Sequence, residues 1–265
     1  MKIKPRSLFA ILLTLLSLIC RGSVYSQQLD SSNNIRRLLL EMKHAGRSME
    51  QLATLFRSGD DRIEDLIQAL DDPDKEVRYN AQVIIRYLGN DKGMEALNKR
   101  CAKNADSCFG LPIPQPLRDW DYHFIRTNFL HKPPQLTPLI DHYLFALALD
   151  SSTGASSLLR EVIENAKKHG IRRDESLYTQ LSRGPNISAN ANNLVELVLK
   201  NASFLNARER QFATAKLIGY NGAKDKALVE IYVDGGPLAE EWYHIVVSRC
   251  NTGWKFFSIS LVAVS

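Results

Sequence analysis

The chain has 265 residues, of which 45% are hydrophobic and 24% are charged, with 14 Gly, 10 Pro and 4 Cys. This composition is that of an ordinary globular protein, and it excludes collagen, a low-complexity disordered chain and a small disulfide-rich scaffold. The length is enough for one large domain or two modest ones with sizeable cores. A formal net charge of +5 would by itself favour an acidic partner such as nucleic acid.

The N-terminus has the pattern of a secretory signal peptide. Residues 8–20 form an apolar stretch that is too short to span a bilayer comfortably. Small or permissive residues, Val24 and Ser26, follow at the −3 and −1 positions of a cleavage site, and three basic residues precede the stretch: Lys2, Lys4 and Arg6. We therefore predict a signal peptide over 1–26 and a secreted or periplasmic mature chain.

Removal of residues 1–26 changes the charge argument. The segment carries basic side chains and no acidic one, so that 30 basic and 29 acidic side chains remain. We therefore expect no nucleic-acid partner. No later stretch is long and apolar enough for a membrane span, and none is expected after cleavage. Lipid attachment at Cys20 is the weaker alternative, because Ile19 stands where a small residue usually precedes such a cysteine.

Export also affects how the remaining cysteines are interpreted. Without Cys20 the chain keeps Cys101, Cys108 and Cys250, in a compartment where disulfides persist. Cys101 and Cys108 can close a small loop, and we predict a bridge between them. Cys250 is then a lone thiol without a local histidine or acid, which favours a structural role over a nucleophilic one.

The first two thirds of the mature chain show the apolar spacing of amphipathic helices. Three successive stripes lie in Ile35–Met42, Met49–Phe56 and Ile63–Leu70, with Gly46 and Gly59 as stops and Ser48 with Gln51 as a capping box. Further helices are predicted near 117–130, 136–143, 159–166, 174–183, 190–203 and 207–219, the last with an Asn206–Glu209 capping box. The proline-rich segment 108–116 favours an extended connector.

One helical pair carries the most informative local pattern. An aliphatic helix that contains Leu66 and Leu70 comes first. It is followed by the turn Asp71-Asp72-Pro73-Asp74 and then by a helix with Val77, Arg78 and Ala81. Asp72 can cap this second helix, with Pro73 in its first turn. The pattern resembles a HEAT repeat over about 61–100. The resemblance implies an α-solenoid, in which at least about three stacked pairs bury their stripes. The neighbouring pairs resemble degenerate repeats.

The pattern changes after Gly222. Ala227–Val233, Trp242–Cys250 and Trp254–Val264 are rich in β-branched and aromatic residues, with turn residues between them. They predict a three-stranded antiparallel meander that caps the helical stack. Strict alternation in the last strand places Phe257, Ile259, Leu261 and Ala263 on one face and Trp254, Phe256, Ser258 and Ser260 on the other.

The predicted fold is therefore mainly α. It consists of a HEAT-like antiparallel helical-hairpin solenoid over 27–222 and a C-terminal three-stranded antiparallel β-meander over 223–265, packed on the helices.

Few residues suggest a chemical site. Asp119, Asp121 and His123 could bind a divalent ion, but a solvated helix start is the favoured interpretation. The other histidines are scattered and form no catalytic set. Trp242, Tyr243, Trp254 and Phe256 could form a binding patch, although core packing is the more common outcome. Arg78 is expected to pair with an aspartate of a turn, such as Asp74, more than with a partner.

We therefore expect no catalytic, cofactor-binding or metal-binding residues and no enzymatic activity. The first hypothesis is an exported interaction scaffold that binds another protein or peptide on its helical surface. The alternative is a small-molecule-binding or enzymatic protein with a pocket at the C-terminal sheet, lined by Trp242, Trp254 or Phe256. Some HEAT-like proteins resemble bilin lyases, but the signal peptide argues against that assignment. Oligomeric state is not encoded in these patterns.

Overall fold

The structure is a computed structural model, and it describes residues 34–42, 49–103, 111–130, 140–171, 176, 178, 181, 187–188, 193–234, 240–251 and 253–264. Several predicted features lie outside these residues. They are the signal peptide 1–26, the stop at Gly46, the Ser48 cap, Cys108 and the start of the helix predicted from Leu136. The Cys101–Cys108 bridge therefore stays a prediction.

Five helices form the N-terminal group, and four of them are predicted, three from their apolar stripes and one from the pattern after Pro73. They are α1 (34–41), α2 (Met49–Ser58), α3 (Ile63–Ala69), α4 (Lys75–Leu88) and α5 (Asp91–Lys103). Helix α3 packs against both α4 and α5, and α2 packs against α4. Their apolar stripes meet in one buried cluster. Helix α5 was not predicted from the sequence.

The turn between α3 and α4 differs in one detail from the prediction. The N-cap of α4 is Asp74, whose carboxylate accepts a hydrogen bond from the Glu76 amide at 2.8 Å. Asp72 instead accepts from the amide of Asp74 at 2.9 Å. Pro73 therefore precedes the helix instead of lying in its first turn. The Asp-Pro segment caps α4 as expected of such residues, two positions later than predicted.

The second helical group follows the connector 111–118, which contains no helix or strand. It comprises α6 (Asp119–Phe129), α7 (Ile140–Leu149), α8 (Thr153–Lys168), α9 (Leu194–Asn201) and α10 (Ala207–Phe212). Helix α7 packs on α8 as an antiparallel pair would. Of the helix predicted at 174–183 only three isolated positions are described. Among the described helices, none has the length and hydropathy needed to cross a membrane.

The C-terminal sheet is antiparallel and larger than the predicted meander. Its strands are β1 (Ile187–Ser188), β2 (Ala213–Tyr220), β3 (Lys226–Asp234), β4 (Glu240–Cys250) and β5 (Gly253–Val264), in the order β1-β5-β4-β3-β2. The three predicted strands β3 to β5 are confirmed. The helix predicted over 207–219 is wrong beyond Phe212, because β2 pairs with β3 from Ala213 onward. The sheet thus begins before the predicted boundary at 222.

The sheet lies between the two helical groups. Ala227, Val229 and Ile231 of β3 face the cluster built by α6 to α9. Leu228, between them in sequence, and Val246 of β4 belong to the cluster built by α1 to α5. Neighbouring residues of a strand point to opposite faces, so both faces of the sheet are covered where these residues lie. The prediction of a sheet that caps one end of a single helical stack is therefore wrong.

A β-bulge in β5 changes which residues share a face. Val246 pairs with Ser258 and Val247 with Phe256, which leaves Phe257 as the extra residue. Phe256 consequently joins Ile259 in the cluster of the second helical group, whereas Phe257 joins that of the first. The strict alternation predicted for this strand therefore fails at residue 257.

The connector 111–118 joins the two cores. Leu111 is buried in the cluster of the first group, and Ile113 and Leu117 are buried in that of the second. Gln115 fixes the crossing: its amide donates to the carbonyl of Phe257 at 2.9 Å, and its side chain donates to the carbonyl of Ala146 at 2.7 Å. The extended conformation predicted from its prolines thus serves to lead the chain past the sheet.

Gly89 ends α4 in the left-handed conformation, with φ of 58°. A Cβ at this position would lie 2.3 Å from the ring of Phe257. We expect Gly89→Ala to lower the free energy of unfolding by about 2–4 kcal/mol, because backbone strain and overpacking add. Thermal and urea unfolding followed by circular dichroism measure this.

Gly154→Ala is the matched control. Gly154 lies within α8, and a Cβ added there would have no atom within 4 Å. Alanine should therefore leave stability unchanged or raise it by up to about 1 kcal/mol. Equal stability of the two variants would contradict the assigned contact between α4 and the sheet.

Candidate functional site

A groove of about 650 Å³ lies beside the hairpin that α3 and α4 form. It is bounded by α3, by the Asp-Pro turn that leads into α4, and by α5. Ile67, Leu70 and Ala96 give it an apolar floor, and the rest of its lining is the turn residues and charged side chains: Asp71, Asp72, Pro73, Arg78, Lys99, Arg100 and Lys103. The groove therefore combines an apolar surface with a charged rim, as protein interfaces do.

Arg78 holds the turn together. Its Nη1 donates to the carbonyl oxygens of Asp72 at 2.7 Å and Pro73 at 2.8 Å. A structural role was predicted for Arg78, with an aspartate such as Asp74 as partner. The structural role is found, but the hydrogen bonds go to main-chain oxygens, because the Asp74 carboxylate already caps α4. The guanidinium thus becomes a fixed part of the groove wall.

The two carboxylates of the groove are engaged by arginines. Asp71 pairs with Arg100 across the groove. Asp72 accepts from Nε of Arg36 at 2.8 Å. Burial alone would raise the pKa of the Asp72 carboxyl, but the hydrogen bonds from Arg36 and from the amide of Asp74 outweigh it and hold the pKa below its ordinary value. Asp72 is thus stabilised as an anion.

Helix α5 supplies three cations to the rim. Ala96, Lys99, Arg100 and Lys103 follow one another at short helical offsets, so they share one face of the helix. Lys99 also pairs with the exposed Glu95 at 2.6 Å, and this hydrogen bond lowers the pKa of the Glu95 carboxyl. These rim residues are not predicted from the sequence, because no helix is assigned to the segment that forms α5. The apolar spacing of Met94, Leu97 and Cys101 would have indicated it.

The candidate metal ligands are not brought together. Asp121 is buried and accepts a hydrogen bond from the Arg118 amide at 3.0 Å, as part of a capping box. His123 and Asp119 are exposed on α6. Within the described residues, no group of three metal-ligating side chains is found. The segment does start a helix, as predicted, but the predicted solvation is wrong for Asp121, which is 2% exposed.

Asp121 instead forms a buried ion pair with Arg86 of α4. The closest nitrogen and oxygen are 3.7 Å apart, and the side chains of Arg86 and Asp121 are 2% and 1% exposed. Burial lowers the pKa of the Arg86 guanidinium, while the charge of Asp121 opposes that shift. The guanidinium also lies 6.0 Å from the ring centre of Trp120. The pair links the two helical groups beside the sheet.

A second buried polar group joins α4 to the sheet. The hydroxyl of Tyr87 lies 2.8 Å from Nδ1 of His244, and Nε2 of His244 lies 3.5 Å from the carboxylate of Glu230. Burial raises the pKa of the Tyr87 phenol, which keeps it neutral. Tyr87 is 1% exposed and His244 6%. These contacts hold α4 against the sheet.

The aromatic residues do not form one patch. Trp254 and Phe256 face the second helical group, and Tyr243 is buried on that same side. Trp242 lies on the opposite face, beside Tyr232 with ring centres 5.0 Å apart. The register therefore keeps Trp242 out of any pocket that Trp254 and Phe256 line, and a pocket lined by one of these faces alone stays a prediction.

No family model matches the chain, and neither a curated protein nor a solved structure matches it. Its function is accordingly inferred from its own residues.

Asp121→Asn tests the buried pair. The amide keeps the shape of the side chain but leaves the Arg86 charge uncompensated, so we expect a loss of about 3–5 kcal/mol in unfolding free energy. Asp119→Asn, at an exposed position on the same helix, should cost less than about 1 kcal/mol. A chelator should leave the melting temperature of the parent protein unchanged. Similar losses for both variants, or a melting temperature that falls with chelator, would contradict the assignment.

His142 of α7 predicts a pH dependence of stability. Burial lowers its pKa from 6.5 to about 4, and Asp141 and a main-chain hydrogen bond at Leu261 oppose the shift only in part. The folded chain therefore keeps the ring neutral while the unfolded chain takes up a proton. Stability should fall as the pH drops from 6.5 to about 4, by up to about 3 kcal/mol.

Urea unfolding at a series of pH values measures this contribution. His142→Gln should flatten the pH profile across that interval, because the proton uptake of the unfolded state at this position is removed. His123→Gln, on an exposed histidine, should leave the profile as it is. A profile of unchanged slope in His142→Gln would show that the imidazole is not held neutral in the folded chain.

Proposed function

We propose that the chain is an exported, non-enzymatic protein-interaction module, whose helical hairpins, similar to HEAT repeats, bind a segment of another protein. The observation that carries the proposal is the groove between the Asp-Pro turn and α5. Its floor is apolar where Ile67, Leu70 and Ala96 line it, and its volume of about 650 Å³ suits several side chains of an extended segment. A concave surface of this kind between helical pairs is a common binding surface of α-solenoids.

Two features of the helical layer support this use. The groove wall is rigid, since Asp74 caps α4 and Arg78 ties the turn to the start of that helix. Leu66 of α3 and Val77 of α4 are fully buried. A pre-formed wall lowers the conformational entropy that binding would cost. The groove also lies on α3 to α5, away from the buried His244 on the sheet.

The proposal that the protein is exported rests on the N-terminal pattern of basic, apolar and small residues over 1–26. The corresponding proposal is a secreted or periplasmic protein whose mature chain starts near Gln27. N-terminal sequencing of the protein recovered from the extracytoplasmic fraction tests it, and an intact N-terminus on protein from the cytosol would contradict it.

A groove-filling variant tests the interaction function. A random peptide library displayed on phage is selected against the full mature protein and against Ala96→Trp, whose indole would occupy the groove floor. We expect the parent protein to enrich a consensus sequence and the variant to bind the enriched peptides at least about tenfold more weakly.

Ala102→Trp is the matched control. Ala102 is an exposed residue of the same helix and does not line the groove. It should retain binding of the enriched peptides. The proposal fails if the parent protein enriches no consensus, or if Ala96→Trp binds the enriched peptides as well as Ala102→Trp does. Circular dichroism of both variants establishes that they are folded.

A further inference from the structure

We infer that the groove takes an acidic segment that carries an aliphatic side chain. The inference rests on the proposed function and names the chemistry of the partner. The groove is lined by four basic and two acidic side chains, although the mature chain as a whole has nearly equal numbers of each. This local excess of positive charge is the starting observation.

The acidic side chains do not cancel the excess. Asp71 is paired with Arg100, which leaves that pair neutral. Asp72 is paired with Arg36 of α1, a cation that comes from outside the groove lining. Both carboxylates of the groove are thus paired with arginines. Only one of these arginines, Arg100, is among the four basic lining residues, so pairing with the groove carboxylates uses one lining cation and leaves three.

The remaining cations are Arg78, Lys99 and Lys103. The two described hydrogen bonds of the Arg78 guanidinium go to neutral carbonyl oxygens, and its charge also attracts the Asp72 carboxylate that Arg36 already pairs. Lys99 pairs with Glu95, but both side chains are more than 60% exposed, and such an ion pair exchanges readily with another carboxylate. Lys103, one turn further along α5, is exposed.

The apolar floor specifies the other half of the ligand. Ile67 and Ala96 are half-buried, and Leu70 is buried beneath them. An aliphatic side chain on this floor would remove apolar surface from water, and flanking carboxylates would reach the cations of the rim. A basic segment would meet like charges on the same rim and would be rejected.

Three fluorescein-labelled peptides of equal length test the inference, with a central leucine flanked on both sides by Glu, by Gln or by Lys. Fluorescence anisotropy with the mature protein measures their affinities. We expect the Glu peptide to bind at least about tenfold more tightly than the Gln peptide, and the Lys peptide to bind most weakly. The affinity of the Glu peptide should fall between about 50 and 200 mM salt.

Charge reversal on α5 locates the binding. Lys99→Glu combined with Lys103→Glu should weaken the Glu peptide by at least about tenfold. The control is Lys167→Glu combined with Lys168→Glu on α8, where both lysines are exposed and the change in net charge is the same. This control should retain the affinity. Equal weakening in the two double variants would show unspecific attraction and overturn the inference.

The outcomes separate the two proposals. If the Gln or Lys peptide binds as tightly as the Glu peptide and Ala96→Trp abolishes that binding, the groove is an interaction site but the acidic partner is wrong. If none of the three peptides binds, the inference is wrong, and the phage selection then decides on the proposed function by itself. Binding of the Glu peptide alone, lost in the α5 variant and kept in the α8 variant, supports both.

Discussion

The structure depends on the burial of both faces of one antiparallel sheet. Along β3, Ala227, Val229 and Ile231 enter one hydrophobic cluster while Leu228 enters the other. Because consecutive side chains of a strand point in opposite directions, such a strand requires apolar cover on its two sides. The two helical groups supply that cover. The connector 111–118 and the Arg86–Asp121 pair then bridge the groups past the sheet, one through the main-chain and side-chain hydrogen bonds of Gln115 and the other through charge.

The pattern of apolar residues predicts much of this fold. The stripes of α2, α3 and α4 and the alternation in β3 and β4 are local, and each is confirmed at nearly its predicted position. The error at Ala213–Tyr220 has a physical origin. The Asn206–Glu209 capping box is correct and begins a real helix, but nothing local ends it at Phe212. The pairing of β2 with β3 ends the helix, and a local sequence pattern does not reveal a contact between two separate segments.

The same limit applies to the sheet faces and to the groove. The bulge leaves the ring of Phe257 beside Gly89 of a distant helix, and strand alternation alone does not encode this contact. The structural role of Arg78 was predictable from its position after the Asp-Pro turn, whereas its main-chain partners were not. Lys99 and Lys103 line the groove because α5 folds back on α3. Their individual charges are visible in the sequence, but their shared location is not.

The shared sheet also determines what can be removed from the chain. A fragment with only α1 to α5 would leave uncovered the apolar side chains that normally meet Leu228 and Val246, and a fragment with only α6 to α10 would do the same on the other side. Neither half can be excised as an autonomous folding unit. The groove is built entirely from residues of the first helical group. It nevertheless forms only when the whole chain is folded, including the last strand, β5.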